Sequence, residues 1–71
     1  MGLSQILGQN VREVRKQRGL SQEQLALDAD MKRSYVSDLE RGTRNPSVKA
    51  IERIATALRV EAWTLLRTPE D

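Results

Sequence analysis

The chain has 71 residues, 12 Lys and Arg against 10 Asp and Glu for a net charge of +2, no Cys, no His and two aromatic residues, Tyr35 and Trp63. Those absences exclude a disulfide framework, thiolate or imidazole metal sites and a histidine general base, so no metal or cofactor is implied. At this size one domain is expected, residues 1–71 with a core of about 7–66, burying only about 60% of its unfolded surface.

Leu7, Val11 and Val14 recur at helical spacing, which predicts a first helix from near Ser4 to Gln17, ending before Gly19. Ser21 follows with Gln24 three places on, the pattern of a hydroxyl cap whose partner side chain reaches back, so a second helix starts there. Leu25, Ala26 and Ala29 keep its apolar spacing, and the small Ala26 allows a close helix crossing. Asp30-Met31 breaks the pattern. Val36 and Leu39 then define a third helix whose other faces carry Arg33, Ser34, Ser37 and Asp38. The stretch Arg41-Gly42-Thr43-Arg44-Asn45-Pro46 has the residues of a loop, and Ser47 caps a fourth helix carrying Val48, Ile51, Ile54, Ala55 and Leu58. Val60, Trp63, Leu65 and Leu66 make a short fifth element, and Thr68 to Asp71 reads as a frayed tail. The expectation is all-α: a compact five-helix domain without strands.

Two short helices joined by a tight turn, the second with a polar face, can enter a major groove about 12 Å wide; an ordinary helical hairpin with a solvated face is the alternative. Arg12 to Lys49 holds nine basic and six acidic residues, and Glu52 to Asp71 three and four, so positive charge gathers around this pair. Two rings are too few for a single-strand stacking platform, which favours duplex DNA over RNA.

From about Val11 to Leu66 the chain resembles the Cro and lambda-type repressor DNA-binding family. The resemblance is carried by Gln22 opening the second helix, Ala26 inside it and Leu39-Glu40-Arg41-Gly42 closing the third. Arg33-Ser34-Tyr35-Val36-Ser37, Glu40-Arg41-Gly42 and Arg44-Asn45 are similar to the controller proteins of restriction-modification systems. One position departs: the family's turn Gly is Asp30 here, and Asp tolerates the left-handed backbone at some cost.

Gln22, at a helix start where free N–H groups favour anions, is expected to hold a DNA phosphate, against a solvated surface Gln. Arg33 is the best base-reading candidate, by bidentate pairing with guanine, with phosphate contact or solvation as its alternatives. Ser34 and Ser37 reach bases, phosphates or solvent. Tyr35 either donates its hydroxyl to phosphate, as the controller resemblance implies, or packs against the first helix. The resemblance implies that the loop bearing Arg44 and Asn45 rides along the DNA backbone, against a solvated loop. Lys32 and Arg41 are weaker phosphate candidates; Arg12, Lys16 and Arg18 read as solvated charges, and Asp38 as a groove-edge residue or a partner for a neighbouring Arg. The resemblance also implies an Arg15–Glu40 pair that orients the third helix.

Trp63 with Ile54, Leu58, Leu65 and Leu66 offers more apolar surface than a short C-terminal helix needs for docking. The surplus points to a homodimer on a palindromic operator, unless Trp63 only closes the monomer core. The expected function is a sequence-specific, double-stranded-DNA-binding transcriptional regulator, controller-like or phage-repressor-like and autoregulatory. An antitoxin-type protein-binding module of the same fold, with Trp63 facing a toxin, is the alternative. Enzyme activity is not expected: Glu23, Asp28, Asp38 and Glu40 are scattered without an acid-base partner. No small-molecule ligand is evident. No apolar run nears the roughly 20 residues of a membrane span, and MGLSQILGQN lacks signal-peptide features, so the cytoplasm is the expected location.

Overall fold

In the computed structural model, which describes residues 2–68, the chain forms α1 (Leu3–Gln17), α2 (Gln22–Asp28), α3 (Arg33–Glu40) and α4 (Val48–Leu58), followed by a 3-10 turn, Ala62–Leu66. No strand occurs among the described residues, and the frayed tail expected beyond Thr68 lies outside them. The starts are set by hydroxyl caps. Ser21 Oγ accepts from Gln24 N at 3.0 Å and Ser47 Oγ from Ala50 N at 3.1 Å. The Gln24 side chain does not close a reciprocal cap at Ser21; its amide donates to Asp28 Oδ1 at 2.9 Å.

All four α-helices end in one way. The chain turns left-handed at Gly19 (φ 72°), Asp30 (57°), Gly42 (77°) and Arg59 (61°). The next N–H then reaches back over the last turn, as Met31 N does to Ala26 O at 2.8 Å and Leu20 N to Arg15 O at 3.1 Å. Asp30 thus adopts the left-handed turn expected of it. Arg53 of α4 braces that turn, donating from Nε to Ala29 O at 3.1 Å and from Nη2 to Asp30 O.

The core is one apolar cluster of Leu7 and Val11 from α1, Leu25, Ala26 and Ala29 from α2, Val36 and Leu39 from α3, Ile54, Ala55 and Leu58 from α4, and Leu65. Gly8 brings α1 against the end of α3. A Cβ at that position would lie 2.5 Å from Leu39 O and 2.7 Å from Glu40 O.

The fifth α-helix of the sequence reading is replaced by the 3-10 turn. Five residues give too few i→i+4 bonds to hold an α-helix; Thr64 N and Oγ1 bond back to Glu61 O at 3.0 and 2.6 Å. The carbonyls at its far end accept instead from the Asn10 side chain, at 2.8 Å for Leu65 O and 2.7 Å for Arg67 O. A second correction concerns the apolar cluster assigned to a partner. Ile54, Leu58 and Leu65 are at most 1% exposed and belong to the monomer core, because the apolar face of α4 is consumed by packing on α2 and the 3-10 turn. Trp63, 62% exposed, and the half-buried Leu66 remain at the surface. Arg18 is also more than a solvated charge, since its Nε donates to Leu58 O at 2.9 Å and so ties α1 to the end of α4.

Candidate nucleic-acid interface

Glu40, the last residue of α3, joins three elements. Its Oε2 accepts from Arg15 Nε at 2.6 Å, and its Oε1 from Arg15 Nη2 at 3.1 Å and Gln22 Nε2 at 3.0 Å. The remaining guanidinium nitrogen of Arg15 donates to Leu20 O at 2.9 Å. Side-chain exposures of 12% for Arg15 and 4% for Glu40 place this pair where removing one partner strands the other charge. The Arg15–Glu40 pair implied by the resemblance is therefore present, and it fixes α3 against α1 and the start of α2.

Gln22 differs from its expectation. It is half-buried, and one amide hydrogen is directed at Glu40; the nitrogen's second hydrogen and the first N–H groups of α2 are what remain for an anion.

At the opposite end of α3, Lys32, Arg33 and Ser34 are exposed. Among the described residues their side chains have no hydrogen-bond or ion-pair partner. Shallow depressions flank this end. Arg33 shares one with Gln22, Ser21, Glu23 and Arg15. Lys32 and Ser34 share the other with Tyr35, Arg44 and Arg53. Tyr35 is half-buried beside the core, and the Arg44 guanidinium lies 4.5 Å above its ring centroid. Ser37 is half-buried on the same helix. Arg41 and Arg44 both pair with Asp38, the latter at 3.4 Å, so Asp38 takes the second of the two roles expected of it. Asn45 is exposed, with Oδ1 accepting from Ser4 Oγ at 2.6 Å, which pins the loop to α1 and leaves the amide hydrogens outward.

Lys32, Arg33, Ser34, Tyr35 and Arg44 thus gather around the start of α3, Gln22 lies along the helix between Arg33 and Glu40, and Arg41 and Asn45 border the far end and the following loop. Sequence reasoning missed Gly8, Ser4 and Arg53. Only Gly8 carried a signal, since a Gly between Leu7 and Val11 costs about 1 kcal/mol relative to Ala in a helix and calls for a packing reason.

Residues 11–62, spanning all of α2 and α3 with their supports, match the helix-turn-helix family. The chain belongs to that family. Among helix-turn-helix relatives it is 48% identical over 62 residues to the control protein C.BamHI of Bacillus amyloliquefaciens, covering 86% of this chain and 76% of the relative. The structure of the restriction-modification controller protein C.AhdI from Aeromonas hydrophila superposes with a TM-score of 0.85 at 47% identity, covering 87% of this chain and 94% of that one. That of the controller C.Esp1396I, a tetramer in complex with its natural 35 base-pair operator, gives 0.83 at 29% identity over 92% of this chain and 86% of that one. This helix-turn-helix chain has no helix, among its described residues, long and apolar enough to cross a membrane.

Proposed function

We propose that this protein is a sequence-specific, duplex-DNA-binding transcriptional regulator of the restriction-modification controller type, acting in the cytoplasm as a homodimer on a palindromic operator. It works by binding and catalyses no reaction. The observation that carries the reading is the exposed trio Lys32, Arg33 and Ser34, unpartnered among the described residues, on the first turn of a helix whose other end is locked by the Glu40 carboxylate. A rigid helix with a free polar end is what major-groove reading requires.

In this reading Arg33 pairs with a guanine edge, and Ser34 and Ser37 line the groove. Lys32, the free Gln22 amide hydrogen, the Tyr35 hydroxyl, Arg41 and the Asn45 amide hold phosphates, and Arg44 reaches the backbone or groove edge. Trp63 and Leu66 form the centre of the two-fold contact, with Arg67 at the rim, its guanidinium 6.0 Å from the Trp63 ring centroid. Two-fold pairing sets two recognition helices about 34 Å apart, one turn of DNA. In this reading control comes from protein concentration and dimerisation, which suits autoregulation.

Selection of bound duplexes from a random pool at fixed salt tests this reading. A two-fold symmetric consensus is expected, and a pool no more enriched than one passed over buffer alone would refute it.

A further inference from the structure

Asp38 is an odd residue to find on a duplex-binding helix, since its carboxylate repels phosphate. It is not needed to close α3: the backbone carbonyl of Asp38, not its side chain, accepts from Thr43 N and Thr43 Oγ1, both at 3.1 Å. Its carboxylate does one thing in this structure. Oδ1 pairs with Arg41 and Oδ2 with Arg44 at 3.4 Å, while the Arg44 guanidinium also lies over the Tyr35 ring, 4.5 Å from the centroid. One half-buried anion therefore restrains two exposed cations, Arg41 at the end of α3 and Arg44 beside Lys32 and Ser34.

We infer that Asp38 is a specificity-determining residue of the DNA-binding surface. It withholds Arg41 and Arg44 from indiscriminate phosphate contact and holds the Arg44 fork, against ring and carboxylate, in one orientation for the operator. The inference rests on the DNA-binding reading above. Its physical basis is twofold. A cation already paired with a protein carboxylate displaces fewer counterions from DNA of any sequence. A guanidinium held by two contacts loses less freedom when it docks on the one groove that fits it.

The test compares Asp38→Asn, nearly isosteric, with the parent. Dissociation constants are measured across a salt series for the selected operator duplex and for a random duplex of equal length. Random-duplex affinity is expected to rise about 3- to 10-fold at low salt, with a salt slope steeper by about one to two phosphates. Operator affinity stays near the parent's, the released charge being offset by the loss of a pre-oriented side chain, so the operator-to-random ratio falls about 3- to 10-fold. In an Arg44→Ala background the effect of Asp38→Asn on that ratio should shrink. An unchanged ratio, an unchanged random-duplex slope, or an undiminished effect without Arg44 would each overturn the inference while leaving the DNA-binding reading intact. A parent that selects no operator overturns both.

Discussion

Glu40→Gln is the sharpest test of what orients the recognition helix. The substitution keeps the side chain's shape and one carbonyl oxygen but removes the charge that Arg15, 12% exposed, faces at 2.6 Å. The guanidinium keeps its bond to Leu20 O and cannot turn to solvent without giving it up. Stranding one partner of such a buried pair costs about 3 to 5 kcal/mol. At roughly 0.05 to 0.15 kcal/mol per residue, a domain of this length holds only about 4 to 11 kcal/mol in all, so much of its stability hangs on one carboxylate. Taking the lower cost, and about 4 to 8 °C per kcal/mol for a small domain, the expected fall in Tm is about 12 to 24 °C. Circular dichroism at 222 nm during heating, with urea titration alongside, measures it. A shift below about 3 °C would refute the reasoning, placing the pair among exposed ion pairs worth about 0 to 1 kcal/mol. The double variant Arg15→Met with Glu40→Leu discriminates further. It should recover most of the loss, because an apolar pair leaves no charge stranded.

Gly8→Ala should destabilise by about 1 to 3 kcal/mol, as expected of overpacking, since its methyl meets two carbonyl oxygens of α3; a denaturation midpoint unchanged from the parent would contradict the close crossing. Arg33→Ala should relax the preferred sequence at one position per half-site, costing about 1 to 3 kcal/mol in discrimination, whereas Lys32→Ala should weaken all duplexes alike and lower the salt slope by about one. If Arg33→Ala leaves the consensus intact and weakens every sequence equally, Arg33 contacts phosphate instead. Trp63→Glu should give monomer in sedimentation at concentrations where the parent sediments as dimer, with Tm little changed because the ring is mostly outside the core; dimer persisting in the variant would remove Trp63 from the interface.

What could be read from the sequence was what neighbours decide. Ser21 and Ser47 cap, Gly19 and Asp30 turn, and the apolar spacings of α1 to α4 follow from positions within a turn or two of one another. The Arg15–Glu40 pair came from family likeness and not from spacing, since nothing local joins residues 25 apart. What stayed hidden depended on tertiary packing. Periodicity put Ile54 and Leu58 on one apolar face without saying whether its own chain or a partner covers it, and the monomer core does. Arg18 and Arg53 look like ordinary surface charges until α1 and α4 are brought to the carbonyls they cap. The last element was legible as apolar, but the partner of its end carbonyls was not, because that is Asn10, 55 residues before Leu65.

The shared form of the four helix ends has a kinetic consequence. Each is closed by bonds that reach back no more than five residues, so every α-helix can stop and turn before the rest of the chain has arrived. Helices with such local closure form in about a microsecond, and small helical domains fold in microseconds to milliseconds. A newly made regulator of this kind is ready almost as soon as it leaves the ribosome. Any delay in a self-regulating circuit built on it then measures accumulation and pairing of subunits, and the folding of the subunit adds nothing to the clock.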